Sequence, residues 1–365
     1  MRCATRRPDL TVLIHLAGLS RYNAGADGCM VLTQYAPRQG GFFMPNVEIP
    51  VEKWIGSIRP ITLGATTAEG GTRSQTVTIG GEKTLPFLGF EGKAPNRPRI
   101  AVEVRATNPA ADWPAPLVTA WGDVLGDLAA WTRAAEGTDG DIIVLQLSAN
   151  DNNGQKMTGA KARAALRTVL KTTGLPVIVF GVGQAELDNE LLVAAAEEGA
   201  GERLVLGPCE DKNYRTIVAA ALANGHLVTS RTPMDVNLSK QLTVLIHDMG
   251  MPLERIIVDP TTGALGYGIE YGYSVMERLR VAALQGDGMT QQPMIVTPGE
   301  EAWRTKEARA GEGVPVAWGD WAARAVNWEA MTAATLVESG ANIVVMRHPE
   351  AVGRVKKMIG ELMTA

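Results

Sequence analysis

Between Arg255 and Glu307 the chain runs through a unit that few architectures can hold. Arg255-Ile-Ile-Val-Asp259 is an apolar strand, and a loop with Gly263, Gly266 and Gly268 follows it. A helix comes next, with Ile269, Tyr273, Met276, Leu279 and Ala283 three or four residues apart on one face. Pro293-Met-Ile-Val-Thr297 is a second strand, and Gly299-Glu-Glu-Ala-Trp303 starts another helix. Strand, loop, helix, strand is the parallel crossover unit, which brings the polar strand ends Asp259 and Thr297 to one rim.

The plan repeats from residue 100 onward. Strands are expected at Ile100–Val104, Asp141–Leu147, Pro176–Val182, Arg203–Leu206, His226–Thr229, Arg255–Asp259, Pro293–Thr297 and Asn342–Met346. Most are continuous apolar runs, as parallel strands covered on both faces require. Helical patterns lie between them at Val124–Ala135, Ala160–Thr172, Glu186–Glu198, Lys212–Ala223, Val236–Met249, Gly268–Leu284 and Ala322–Ser339, and Glu350–Met363 closes the chain. Asp235 and Pro349 are helix-start signals. Eight strands, each followed by a helix over about 250 residues, predict an α/β fold, the (β/α)8 or TIM barrel. The rival, an open doubly wound sheet, carries a nucleotide fingerprint after its first strand. Here Gly181-Val-Gly183 follows the third strand and has Glu186 in place of the third glycine.

The expected organisation is a barrel over residues 100–365, preceded by an N-terminal β-hairpin segment over 44–99. In that segment Ile58–Leu63 and Thr76–Ile79 are apolar runs set off by Gly70-Gly71 and Gly80-Gly81, and they cap the bottom of the barrel. Residues 1–43 read differently. Arginines followed by Leu10–Leu16 and by Ala24-Gly-Ala26 imitate a signal peptide. Gln39-Gly40-Gly41, a few codons before Met44, can be encoded as a bacterial ribosome-binding site. Met44 is therefore expected as the native start, with 1–43 a non-native leader or disordered extension.

Composition removes several function classes. A net charge of −4 leaves no footprint for nucleic acid, and no run of about 18 apolar residues predicts a membrane span. Cys3, Cys29 and Cys209 form no C-x-x-C pair and are too few for an iron–sulfur cluster, and the four histidines show no H-E-x-x-H spacing. No metal site is expected.

Function in such barrels sits at the C-terminal strand ends. That rim offers Glu103 or Arg105, Asn150 to Asn152, Cys209 and Glu210, Ser230 and Arg231, Asp259, Thr297 and Glu300, and Arg347 and His348. No lysine ends a strand, which argues against Schiff-base chemistry. The loop after the seventh strand carries Glu300 and Glu301 rather than a phosphate-cradling glycine run. Asp259 before Pro260 reads as a loop cap or as a ligand contact, and His348 as the cap of the last helix or as a rim contact. Leu265 and Tyr267, apolar on a long loop, suit a partner or cofactor face. Trp303, Trp318, Trp321 and Trp328 cluster near the eighth strand as packing or interface anchors.

Several phrases carry a resemblance. They are Leu265-Gly-Tyr-Gly-Ile-Glu-Tyr271, Ser274-Val-Met-Glu-Arg278, Glu301-Ala-Trp303, Lys306-Glu-Ala308, Leu63-Gly-Ala-Thr66, Gly70-Gly-Thr-Arg-Ser74, Pro233-Met-Asp-Val-Asn237 and Met346-Arg-His-Pro-Glu-Ala-Val352. From about Met44 to the C-terminus the chain resembles the small (delta) subunit of the corrinoid iron–sulfur protein of the acetyl-CoA decarbonylase/synthase (CO dehydrogenase/acetyl-CoA synthase) system. The resemblance implies a cytoplasmic heterodimer with a large (gamma) subunit that carries the iron–sulfur cluster and a mobile corrinoid (cobalamin) domain. This chain would cover the corrinoid at the shared interface. A methyl group would pass from a methyltetrahydropterin to cobalt and on to acetyl-CoA synthase, in the Wood–Ljungdahl route of carbon fixation. The methyltransferase and the synthase would be transient partners.

Such a cover needs no acid, base or nucleophile of its own, so no catalytic residue is assigned. The residues expected to face the cofactor, chosen by strand-end position, are Asn150, Asp259, Gly266, Tyr267, Gly268, Thr297, Arg347 and His348. The alternative is a pterin-binding barrel that itself catalyses methyl transfer to cobalt.

Overall fold

A computed structural model describes residues 50–364, so the expected leader over 1–43 and the first residues of the 44–99 segment lie outside it. The described chain opens with β1 (Ile61–Leu63) and β2 (Val77–Ile79), an antiparallel pair in which Ile61 faces Ile79 and Leu63 faces Val77. The barrel begins at β3 (Arg99–Arg105). Then come α1 (Ala115–Trp121), α2 (Leu128–Glu136), β4 (Ile142–Gln146), α3 (Gly159–Thr172), β5 (Val177–Phe180), α4 (Ala185–Glu198) and β6 (Val205–Cys209). The second half holds α5 (Tyr214–Asn224), β7 (Leu227–Arg231), α6 (Val236–Asp248), β8 (Ile256–Asp259), α7 (Ile269–Leu284) and β9 (Ile295–Val296). It ends with α8 (Pro298–Ala302), α9 (Lys306–Arg309), α10 (Trp321–Glu338), β10 (Ile343–Met346) and α11 (Pro349–Leu362).

Strands β3 to β10 form one parallel sheet, ordered β8-β7-β6-β5-β4-β3-β10-β9. A single bridge between Val258 and Met294, with Val258 N donating to Pro293 O at 3.0 Å, joins the two ends into a barrel. The strand period of two divides the apolar residues into two cores. Ala101, Ile142, Val144, Ile178, Val205, Leu227, Ile257, Ile295, Ile343 and Val345 share the inner core with Ile61, Leu63, Val77 and Ile79 of the β1–β2 pair. The pair thus packs among the inward-facing side chains. Alternate strand residues such as Val102, Ile143, Val179, Leu206 and Val344 point outward to the helices.

Two buried ion pairs tie the pre-barrel segment down. Arg73 Nε donates to Glu202 Oε2 at 2.9 Å, and the Arg280 guanidinium meets Glu82, which also accepts from Asn342 Nδ2 at 2.7 Å.

Three local expectations need correction. The helix expected over Val124–Ala135 is a 3-10 turn at Gly122–Gly126 followed by α2, and α1 precedes it. Gly122, at a φ of 59°, breaks the run, and Asp127 starts a new helix by accepting from Ala129 N and Ala130 N. The fourth barrel strand continues through Gly207 and Pro208 to Cys209 rather than stopping at Leu206. Gly207 is needed there because a Cβ would lie 1.7 Å from Thr229 Oγ1. The strand expected over Pro293–Thr297 is a regular strand only at Ile295–Val296, with Met294 in the isolated bridge to Val258.

Candidate functional site

Adjacent parallel strands end at one level, so their last side chains meet at the C-terminal mouth. The register sets Arg231 of β7 beside Asp259 of β8. Arg231 Nε donates to Asp259 Oδ2 at 2.7 Å, and Asp259 Oδ1 accepts from Thr261 N at 3.0 Å. The guanidinium lies over the Phe180 ring, 5.9 Å from its centroid. Burial works against its charge, but Asp259, Glu300 and Glu210 outweigh that and hold its pKa above the ordinary value.

Around this pair is a cavity of about 300 Å³, with Gln146, Phe180, Asp259, Thr297, Glu300 and Arg304 in its wall. Beside it runs a groove of about 1030 Å³ between the start of α4 and the flank of α6, walled by Leu187, Leu238, Leu242 and Leu245. Gly183, Arg231 and Thr261 border both hollows.

The loop after β5 is held from behind. Asp188, in the first turn of α4, accepts from Val182 N at 2.5 Å and from Gly183 N at 3.0 Å. Gly181 must lack a side chain because a Cβ would lie 2.3 Å from Asp188 Oδ1. The amides of this Gly-Val-Gly turn therefore serve a carboxylate of the same chain. Acids crowd the mouth. Burial first, then the carboxylates of Asp188 and Asp259, push the Glu210 carboxyl above its usual range. Burial first, then Glu300, does the same to Glu301, against the pull of Arg304. Arg304 pairs with Glu300 at 2.9 Å and with Glu301 at 2.7 Å.

The residues chosen from the sequence fall in four places. Asp259 and Thr297 both line the mouth cavity, where Thr297 N donates to Thr262 Oγ1 at 2.8 Å. Gly266, Tyr267 and Gly268 form a tight loop ahead of α7, the two glycines at φ of 71° and 91°, outside the cavity wall. Tyr267 and Tyr271 there are exposed. Asn150 is exposed on the loop after β4, bridged to Lys156.

Arg347 and His348 occupy a separate buried corner. Arg347 Nε donates to Glu103 Oε2 at 3.0 Å, and Arg105 Nε donates to Glu103 Oε1 at 2.8 Å. Both guanidinium groups flank the Trp113 ring. Burial alone would raise the Glu103 pKa, but Arg347 and Arg105 outweigh it and hold it low. His348 caps α11, its Nδ1 accepting from Glu350 N at 3.2 Å, and its ring stacks on Trp303 at 5.9 Å. Burial lowers its pKa to about 4. Beneath it Glu329 accepts from Trp303 Nε1, Arg347 N and His348 N. Burial outweighs those bonds and pushes this carboxyl up to about 7.

Sequence reasoning did not single out Gln146, Phe180, Asp188 or Arg304. Gln146 had a signal, as the polar residue ending an otherwise apolar strand; its Nε2 donates to Gly181 O at 2.5 Å. Asp188 reaches the mouth only through the fold.

The family model described as CO dehydrogenase/acetyl-CoA synthase delta subunit matches residues 61–359. The acetyl-CoA decarbonylase/synthase complex subunit delta of Archaeoglobus fulgidus is 37% identical over 319 residues, covering 85% of this chain and 70% of that protein. Subunit delta 1 of Methanosarcina thermophila is 33% identical over 359 residues, covering 94% of this chain and 80% of its own length. Among solved structures, a dihydropteroate synthase from Xanthomonas albilineans in complex with 7,8-dihydropteroate aligns with a TM-score of 0.49 and 15% identity, covering 77% of this chain and 100% of that one.

Proposed function

Since this chain belongs to the delta subunit family of the CO dehydrogenase/acetyl-CoA synthase complex, we propose that it is the barrel subunit that covers a corrinoid held by the complex's large (gamma) subunit during methyl transfer. The observation that carries this reading is the mouth. The β1–β2 pair fills the barrel among its inner side chains, while the cavity and groove lie at the opposite strand ends. A broad ligand carried by another polypeptide meets a dead-ended hollow.

The residues present fit such a ligand. The side arms of a corrin are carboxamides, which both donate and accept hydrogen bonds. The mouth offers Arg231 and Arg304 as donors and Glu210, Glu300 and Glu301 as acceptors. Arg231 makes its one side-chain hydrogen bond among the described residues through Nε, and the buried Thr232 hydroxyl has no partner among them. Tyr267, Tyr271 and Leu238 add exposed apolar surface suited to a partner. The bound corrinoid would supply the cobalt that takes up and gives up the methyl group. This chain's part is to bind the amide edge, orient it and exclude water. The proposed setting is the cytoplasm. Among the described residues no helix is long and apolar enough to cross a membrane.

The test is to purify the chain alone and with the large subunit, then record corrinoid absorbance and methyltetrahydropterin binding. Corrinoid whose spectrum and solvent access change only in the pair supports the cover. Stoichiometric methylpterin binding by the isolated chain overturns it in favour of a methyl-transferring enzyme.

A further inference from the structure

We propose that Arg231 is the side chain that meets the ligand at this mouth, donating to the neutral carbonyl oxygen of a carboxamide, and that Asp259 is the positioning residue that aims it. The proposal rests on the corrinoid-cover reading and says which residue reads which chemical group.

Asp259 is 1% exposed, and each of its oxygens already accepts a hydrogen bond, one from Arg231 Nε and one from Thr261 N. It stands in the cavity wall with both oxygens already engaged by this chain. Arg231 is in the reverse position. Its Nε is held, its plane rests over Phe180, and its side chain is 25% exposed. The two terminal nitrogens donate to no group among the described residues. They stand where the cavity and the groove meet, because Arg231 borders both. A guanidinium anchored through Nε and stacked on a ring is a preorganised fork for an acceptor oxygen.

The surroundings choose which acceptor. Around the two hollows the acids Glu186, Glu210, Asp211, Asp259, Glu300 and Glu301 outnumber the cations Lys156, Lys212, Arg231 and Arg304. An added carboxylate would meet like charge in a half-buried site, which is unfavourable. A neutral carbonyl meets no such repulsion. Thr232, the next residue, is 7% exposed, lines the groove and has an Oγ1 without a partner among the described residues. It can accept from an amide N–H. The same hydroxyl can also donate, so it suits a carboxamide without selecting it, and the excess of acids is what disfavours a carboxylate.

The experiment measures, by titration calorimetry, the affinity of this chain for the large subunit in three states. These are free of corrinoid, loaded with cobinamide, whose arms are carboxamides, and loaded with cobyrinic acid, whose arms are carboxylates. The wild type gains affinity with cobinamide and gains less with cobyrinic acid. Arg231→Lys keeps a cation for Asp259 but removes the fork. It cuts the cobinamide gain on the order of tenfold, the loss of one charge-assisted hydrogen bond, and leaves affinity for the empty subunit and the melting temperature unchanged. The double variant Arg231→Gln, Asp259→Asn, which leaves no unpaired charge, shows the same loss. Equal loss with empty and loaded partner, or no loss at all, overturns the assignment of Arg231. A gain with cobyrinic acid equal to that with cobinamide overturns the amide selection. If cobinamide gives the wild type no gain, the corrinoid-cover reading fails with it.

Discussion

Replacing His348 with asparagine is expected to reverse the order of stability between variant and wild type as the pH falls. At pH 7 the variant keeps a capping side chain, since asparagine is a good N-cap, but loses the ring that stacks on Trp303 at 5.9 Å. That loss costs about 1–2 kcal/mol of stacking and burial. Below the ordinary histidine pKa of 6.5 the balance changes. Burial holds the folded imidazole near 4, and a proton on Nδ1 would remove the acceptor that caps Glu350 N. Between these values the unfolded chain takes up a proton that the folded chain refuses. The stability contributed by His348 is therefore complete above 6.5 and is lost as pH falls toward 4, at about 1.36 kcal/mol per pH unit. From 6.5 to about 4.5 the wild type loses roughly 2.7 kcal/mol that His348→Asn does not lose. The variant should be less stable by about 1–2 kcal/mol at neutral pH and more stable by about 1 kcal/mol near pH 4.5.

Glu329 runs the other way. Its folded pKa is raised to about 7, so its contribution is complete below its ordinary 4.5 and is lost as pH rises to 7. Both proteins keep Glu329 and the backbone N–H of residue 348 that it accepts, so this effect cancels in the difference. Urea unfolding followed by tryptophan fluorescence, at half-unit steps, reads the difference directly. A stability gap that stays constant with pH would refute the claim that the imidazole is folded neutral.

Glu103→Gln should cost about 3 kcal/mol in urea unfolding, because it leaves the buried Arg347 without its anion. Gly299→Ala should cost about 1–3 kcal/mol by the same assay, since a Cβ there would lie 2.8 Å from Arg347 N and 2.9 Å from Met346 Cα. Tyr267→Ser, at a half-exposed position, should leave the unfolding free energy within about 0.5 kcal/mol of wild type. The same change should weaken association with the large subunit on the order of tenfold in sedimentation or calorimetry.

The barrel was readable because most barrel strands are apolar runs buried on both faces, and each is separated from the next by a helical period. Where glycine and proline occur inside a strand, as at Gly207-Pro208, that signal inverts, and only the approach of Thr229 explains why the strand continues. The break before α2 needed the Asp127 cap and the geometry of Gly122. At the mouth, strand-end position pointed to Asp259 and Thr297, which the fold sets in one cavity wall. It could not show that Asp259 is occupied by Arg231, because that depends on the register of two strands whose ends lie 28 residues apart. Nor could it separate Arg347 and His348 from the rim. Their burial is decided by Glu103, Glu329, Trp113 and Trp303, drawn from four other stretches of chain.

The wall of this barrel has one weak stave. Between β8 and β9 the ladder is reduced to a single bridge, and directly above it Thr297 N reaches across to Thr262 Oγ1 like a stitch. Opening that line breaks few backbone bonds, whereas the ladders from β3 to β5 and from β7 to β8 hold four or five residue pairs each. The two lips of the seam carry Asp259 and Thr297, so a partner pressing on the mouth from above would find it hinged on that side and stiff elsewhere. Slow amide exchange in β3 to β7, against faster exchange at Val258 and Thr297, would be the mark of such a seam.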